Sequence, residues 1–246
     1  MLRRIGKWLH AGGLEAGELM HPDKGTPQGG VMSPLLANVF VHHVLDAWFV
    51  KDVVPRMQGH CFLTRFADDC IIGCAREADA RRIMTVLPKR FTRFRLTMHP
   101  EKTALIAFER PPSRNRSAGG MGTFDLLGCT HYGAKTRQGY WVIKRKTVGK
   151  RLRRFMQESW TWCRENRHAP LQEQYRTLCA KLRGDYHYYG IRGNFKMLEV
   201  VCEHIERAWH YWLSTRSHKG YINWQKFEGF VRQKLPLPKP RILHNI

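Results

Sequence analysis

The apolar pattern of this chain changes period near residue 145, and that change limits the folds open to it. Before it, short runs of strand-forming residues alternate with segments of helical period; after it the period is almost wholly helical, with basic and aromatic residues interleaved. A length of 246 residues allows one large core or two modest ones. An α+β class follows. An antiparallel sheet with helices is expected over 1–144, an all-helical domain over 145–215 and a basic tail over 216–246. No internal repeat of solenoid length is visible.

Leu2 to Gly12 reads as the last turns of a helix stopped at Ala11-Gly12-Gly13, where glycine suits a left-handed cap. Its abrupt start suggests that sequence precedes it. Ser33-Pro34 is an N-cap and first-turn pair opening a helix to about Val50, with Leu36, Phe40, Val44, Ala47 and Trp48 on one face. Cys61–Phe66 and Cys70–Ala75 read as a hairpin with Ala67-Asp68-Asp69 at its tip. A helix from about Arg76 to Phe94 follows, which Pro88 should kink or shorten. Strands are expected around Arg95–Met98, Thr103–Phe108, Phe124–Thr130 and Gly139–Lys144, with a polar loop over Arg110–Gly122. Three helices are expected at 147–166, 169–189 and 195–215. Asn194 would cap the last, and Phe195, Leu198, Cys202, Ile205, Trp209 and Trp212 would form its apolar stripe. The remainder reads as a short helix or strand and then an extended, proline-rich terminus.

Charge narrows the partners. Lys and Arg number 42 against 20 Asp and Glu, a net charge of +22. Residues 1–130 hold +6 of it and 131–246 hold +16, so a polyanion is the expected partner, met chiefly by the second half. No apolar run is long enough to span a bilayer and Met1–Gly13 lacks the apolar core of a secretory signal, which points to a cytoplasmic protein without a membrane partner. Seven scattered cysteines without a CxxC pair suit buried thiols in a reducing compartment, and no structural zinc is expected. Lys144-Arg-Lys-Thr-Val-Gly-Lys-Arg-Leu-Arg-Arg154 holds seven basic residues in eleven. Lys144, Arg145, Lys146, Lys150, Arg151, Arg153 and Arg154 are therefore candidates to track an RNA backbone, a solvated helix face being the alternative. Trp160, Trp162, Tyr186, Tyr188 and Tyr189 fit core packing better than base stacking.

The consecutive aspartates Asp68 and Asp69 repel one another at a turn unless cations lie between them. Divalent metal supplies that cation, since magnesium binds through one or two carboxylates plus water and substrate phosphates. On the dipeptide alone a solvated turn is the commoner explanation. The surrounding motifs change the balance. Phe66-Ala-Asp-Asp69 resembles the aromatic-Ala-Asp-Asp signature of reverse transcriptases. Gly25-Thr-Pro-Gln-Gly-Gly-Val-Met-Ser-Pro-Leu-Leu-Ala-Asn38 resembles the group II intron form of the loop and helix that line the nucleotide and template site. His99-Pro-Glu-Lys-Thr103 resembles the family's lysine motif, and Phe124-Asp-Leu-Leu-Gly128 its primer-gripping strand. Arg183-Gly-Asp-Tyr-His-Tyr-Tyr-Gly190 looks like part of the family's thumb, or maturase, domain.

The resemblance implies a partial polymerase palm followed by a helical thumb, and an RNA-directed DNA polymerase that also assists intron splicing. It implies Mg²⁺ as cofactor, and intron RNA template, DNA primer or target and dNTPs as partners. Asp68 and Asp69 would hold the metal, and Lys102 would act on the leaving pyrophosphate, a solvated lysine being the alternative. Gly25, Thr26, Pro27, Gln28, Gly29, Gly30, Phe66 and Ala67 would line the nucleotide and template site, with Phe66 packed beneath the nucleotide as core. Leu127 and Gly128 would grip the primer.

The family places a further aspartate on a palm strand before the GTPQGG loop. Here the preceding acids Glu15, Glu18 and Asp23 are expected at a helix end and in loops. The expectation is therefore an incomplete or split polymerase, weakly active alone, completed by an N-terminal fragment in trans. A non-enzymatic intron-RNA-binding maturase fragment is the alternative. Within these 246 residues no Cys- or His-rich endonuclease module is expected after the thumb.

Overall fold

The computed structural model describes residues 3, 6–7, 13–15, 18–20, 32–108, 122–136, 138–217 and 221–244. The class is mixed α and β, and the chain forms two compact units, 1–105 and 106–246. In the first unit, β1 (Gly13–Glu15) pairs antiparallel with β2 (Glu18–Met20), so Glu15 lies opposite Glu18 on paired strands. Neither is in the helix-end or loop context expected of it.

Helix α1 (Ser33–Val41) starts with Pro34 in its first turn, as the sequence predicts, but Met32 rather than Ser33 is the cap residue and no side chain caps it. The helical path continues well beyond Val50. Two π-helical turns, His42–Asp46 and Phe49–Val53, lead into a 3₁₀ turn at Val54–Arg56. A π turn adds a residue and rotates the inward face, so Val44, Leu45, Phe49 and Val53 are buried while Phe40 stays 44% exposed.

Strands β3 (Cys61–Phe66) and β4 (Asp69–Cys74) form a regular antiparallel hairpin. Its inner face packs Cys61, Leu63, Ile72 and Cys74 against Phe49, Val53 and Ile83. Helix α2 (Glu77–Arg93) runs through Pro88 without being shortened. The missing donor is a local loss, and the buried Ile83 and Leu87 hold the helix to the core. Asp79, 1% exposed, accepts the backbone N–H groups of Gln58 and Gly59 and ties α2 to the loop before β3.

The strand expected at Arg95–Met98 is absent because the helix ends there in a Schellman motif. Arg95 takes φ +58°, its N–H bonds to Thr92 O at 3.0 Å and the N–H of Leu96 to Phe91 O at 3.0 Å. Thr103–Phe108, expected as a strand, joins no ladder among the described residues; Gly122 N bonds to Ala107 O at 3.2 Å and the Phe108 ring meets Phe124 edge-on.

The second unit opens with a three-stranded antiparallel sheet, β5 (Phe124–Leu126), β6 (Cys129–Lys135) and β7 (Trp141–Thr147). The single strand expected over Phe124–Thr130 is thus a hairpin broken at Leu127-Gly128. Both turn residues have positive φ (48° and 77°), the pattern of a type I′ turn. Leucine is costly there, and Leu127→Asn is expected to stabilise this unit by about 1 kcal/mol, read as a raised Tm.

Helices α3 (Gly149–Glu165), α4 (Leu171–Tyr189) and α5 (Phe195–Ser214) form the main core. Leu178, Leu182, Leu198, Val201, Ile205, Ala208, Trp209 and Leu213 are all at most 2% exposed. The inward stripe of α5 is displaced from the expected one, since Phe195 is 41% exposed and Val201 and Ala208 face inward. Asn194 makes no side-chain cap. Its buried amide instead accepts Thr147 N and donates to Thr147 Oγ1 and Tyr189 O, each at 2.9 Å, joining β7 to the end of α4.

The C-terminal stretch belongs to this core. Helix α6 (Trp224–Lys226), capped by Asn223, leads into a π turn at Phe227–Arg232 that buries Phe227 and Val231. Beyond it Tyr175 and Tyr186 donate to the carbonyls of Pro236 and Pro238, and the N–H groups of Leu243 and His244 bond to Gly190 O.

Candidate functional site

The hairpin β3–β4 decides where the two aspartates point. Successive strand residues face opposite sides. Cys61, Leu63 and Arg65, with their partners Cys74, Ile72 and Cys70, therefore lie on the core side, while Phe62, Thr64 and Phe66 lie opposite Gly73, Ile71 and Asp69 on the open side. Phe62 covers Gly73 so closely that a Cβ there would come within 2.3 Å of its ring. The connection is the two-residue turn Ala67-Asp68, with Phe66 paired to Asp69. Ala67 has φ +54° and Asp68 does not share it, the pattern of a II′ turn, whose first central position normally takes glycine. An alanine there costs roughly 1–2 kcal/mol.

Asp68 and Asp69 are both exposed, one in the turn and one at the start of β4. Among the described residues, no cluster of three or more histidines, cysteines or acids forms a ready-made metal cage. Two adjacent hard oxygen donors at a solvent-facing tip are nonetheless a set that magnesium accepts, because it retains waters and takes substrate phosphates as further ligands. Phe66 is 65% exposed rather than packed in a core.

A feature the sequence reading missed lies directly beneath this tip. Arg65 occupies a core-side strand position with only 13% of its side chain exposed. Its Nε and Nη2 donate to Asp46 Oδ1 and Oδ2, both at 2.8 Å, and its Nη1 donates to Asn38 Oδ1 at 2.9 Å and to Ala67 O at 2.7 Å. Asp46 ends the first π turn, next to the buried Val44 and Leu45. The Arg65 bonds hold its carboxyl below the ordinary range, and His42 Nδ1 at 3.2 Å adds to that. The signal was available: an arginine on the inward register of an apolar strand demands a partner.

The loop Gly25, Thr26, Pro27, Gln28, Gly29, Gly30 lies outside the described residues. Lys102 is exposed on a 3₁₀ turn, Pro100–Lys102, and makes no ion pair among the described residues. Leu127 and Gly128 form the β5–β6 turn of the second unit. Tyr188 Oη donates to Leu127 O at 3.1 Å, and a Cβ on Gly128, whose φ is +77°, would be strained and would push the ends of the Tyr189 and Arg151 side chains, at 2.9 and 3.0 Å, out of place.

The basic run does not form one face. Lys144 and Lys146 lie on the side of the sheet that carries Tyr132, with Lys146 Nζ 5.1 Å from the ring centroid, whereas Arg145 faces the other way beside His131. Lys150, Arg151, Arg153 and Arg154 are exposed on α3, where Arg154 meets Glu158 at 3.6 Å. Of the five aromatics, Tyr186 is buried and Trp160, Trp162 and Tyr189 pack against the helical core, but Tyr188 is 55% exposed.

Asp185 of the Arg183–Gly190 segment lies in a small pocket with Arg151, Leu152, Phe155 and Tyr189, and its buried Oδ2 has no hydrogen-bond partner among the described residues. Burial pushes its carboxyl up from 3.8 to about 6. The folded state therefore holds the proton more tightly than the unfolded state, and stability falls as pH rises through the window from 3.8 to about 6. Asp185→Asn should raise Tm at pH 7.5 and leave it nearly unchanged at pH 3.5, as checked by melting curves at both values.

Comparison with known proteins adds the family. Residues 5–131, just over half of the chain, match the family described as reverse transcriptase (RNA-dependent DNA polymerase). The chain belongs to that family. The group II intron-encoded protein LtrA of Lactococcus lactis subsp. cremoris is 48% identical over 44 residues, covering 18% of this chain and 7% of that protein; the same protein from strain MG1363 matches equally. The stretch shared with these relatives is thus a small part of their length, and it bears out the resemblance to group II intron reverse transcriptases drawn from the motifs. No helix among the described residues is long and apolar enough to cross a membrane.

Proposed function

We propose that the chain carries the two-aspartate part of the metal site of a group II intron RNA-directed DNA polymerase, with 1–144 contributing palm and 145–215 the thumb or maturase helices. The observation that carries this reading is the placement of Asp68 and Asp69 together at the exposed tip of the β3–β4 hairpin. Asp68 and Asp69 would hold Mg²⁺ through their carboxylate oxygens, and the metal would supply positive charge to the triphosphate and lower the pKa of the primer 3′ hydroxyl. The glycines of the 25–30 loop admit backbone beside nucleotide and template, Phe66 and Ala67 form the adjoining surface, and Lys102 neutralises the leaving pyrophosphate. Leu127 and Gly128 hold the primer end.

A second activity, holding intron RNA to assist splicing, is favoured by the +16 charge of residues 131–246 and by Lys144 and Lys146 beside Tyr132. Lys150, Arg151, Arg153 and Arg154 add exposed cations on α3, and Arg145 lies on the opposite side of the sheet.

The test is primer extension on an RNA template with Mg²⁺, by the chain alone and with an added N-terminal palm segment from a group II intron reverse transcriptase. Extension in either arm that Asp68→Ala removes supports the polymerase reading; extension in neither removes it. Binding of intron RNA that survives competition by random RNA at equal ionic strength supports the RNA-holding activity.

A further inference from the structure

We propose that Arg65 is a positioning residue, a three-way clamp that fixes the Ala67-Asp68 turn against α1 and the π turn behind it. The proposal rests on the reading of Asp68 and Asp69 as metal carboxylates and deepens it, by naming what holds them in place.

The turn needs such a device. It belongs to a two-stranded hairpin, which is marginal by itself, and it places a non-glycine residue at positive φ. Conformations of that kind persist only where their surroundings over-determine them. Arg65 supplies the surroundings. Two of its arms are consumed by the Asp46 carboxylate, and Asp46 stands on a turn whose Val44 and Leu45 are buried, so the anchor point belongs to the core. The remaining Nη1 reaches the Ala67 carbonyl, the peptide oxygen immediately before Asp68, and the Asn38 side chain on α1. Asn38 closes the segment that begins at Gly25. One guanidinium thus sets the register between the helix following that loop and the tip carrying both aspartates.

The role is geometric rather than electrostatic. The charge of Arg65 is neutralised by Asp46, whereas the planar fork is what allows one side chain to satisfy three partners in different directions. A lysine keeps the charge but presents a single nitrogen, which cannot span Asp46, Asn38 and the Ala67 carbonyl together.

Arg65→Lys is therefore the informative variant. It is read by amide hydrogen exchange of residues 67–69 and by Mn²⁺ affinity measured by electron paramagnetic resonance on the whole chain, with Asp68→Asn as the metal control. Expected are turn exchange about tenfold faster and Mn²⁺ binding weaker by roughly 10- to 100-fold, the range typical of partners that orient metal ligands, while the helical circular dichroism and Tm stay close to wild type. Asn38→Ala, which removes one leg, should move exchange in the same direction by less. It keeps the test decisive if Arg65→Lys fails to fold, because wild-type turn exchange in Asn38→Ala would then overturn the clamp. Unchanged exchange in Arg65→Lys overturns it directly, as does Mn²⁺ binding that Asp68→Asn abolishes and Arg65→Lys leaves intact. Faster exchange in Arg65→Lys in a protein that never binds Mn²⁺ supports the clamp and removes the metal reading instead.

Discussion

Asp68→Ala should lower primer extension by roughly 10³-fold or more, beyond the roughly 10- to 100-fold that outer-shell partners of a metal command. The effect is that large because the proposed site offers two carboxylates at its tip, and losing one leaves the cation with a single protein carboxylate there. The same substitution should leave the fold alone. Asp68 is exposed, its φ is not in the left-handed region, and its side chain makes no recorded hydrogen bond among the described residues, so alanine fits the second position of the turn. Extension rates and Tm on the same preparation separate the two effects. A fall in rate with unchanged Tm supports a chemical role, whereas a rate within tenfold of wild type would place the metal elsewhere.

Trp209→Ala should destabilise the second unit by about 3–5 kcal/mol. Trp209 is 1% exposed in α5, meets the Phe227 ring edge-on at 5.8 Å, and donates its Nε1 hydrogen to Gln174 Oε1 at 2.9 Å. Truncation leaves a large cavity and an unpartnered oxygen on Gln174, itself only 2% exposed, which pushes the cost to the upper end. Trp209→Phe keeps most of the volume and loses the hydrogen bond, so about 1–3 kcal/mol is expected. Against a total stability of about 5–15 kcal/mol for a domain, only the alanine variant should populate unfolded helices at 37 °C. Urea unfolding followed by circular dichroism at 222 nm orders the three proteins.

How much of this was legible in the sequence depends on the range of the signal. The hairpin was readable because strand-forming runs, expected at Cys61–Phe66 and Cys70–Ala75, flank a short acidic tip, although the second strand begins one residue earlier, at Asp69, and the turn is two residues rather than three; the three long helices were readable because their apolar spacing persists over many turns. The aspartates at the tip followed from the same local pattern. What failed were signals overruled by backbone geometry. Arg95 in the left-handed region turned an expected strand into a helix cap, and Leu127-Gly128 broke another into a hairpin even though leucine is a poor turn former. The π turns at His42–Asp46 and Phe49–Val53 moved the inward face of α1 and its continuation by a residue, which no fixed 3.6 period anticipates. Asp46 was invisible as the partner of Arg65 because the two are 19 residues apart and belong to different elements. Asn194 looked like a cap and serves as a bridge to Thr147, a contact 47 residues distant.

The separate cores of 1–105 and 106–246 have a practical consequence for spectroscopy. Six of the eight tryptophans, from Trp141 to Trp224, lie beyond residue 105. Intrinsic fluorescence will therefore follow chiefly the melting of the second unit, while Trp48, packed against the core of the hairpin that bears the aspartates, contributes a minority signal from the first. A denaturation curve taken by that light alone weights one unit over the other, and agreement between it and a probe placed near Asp68 would have to be demonstrated before a single unfolding free energy is assigned to the chain.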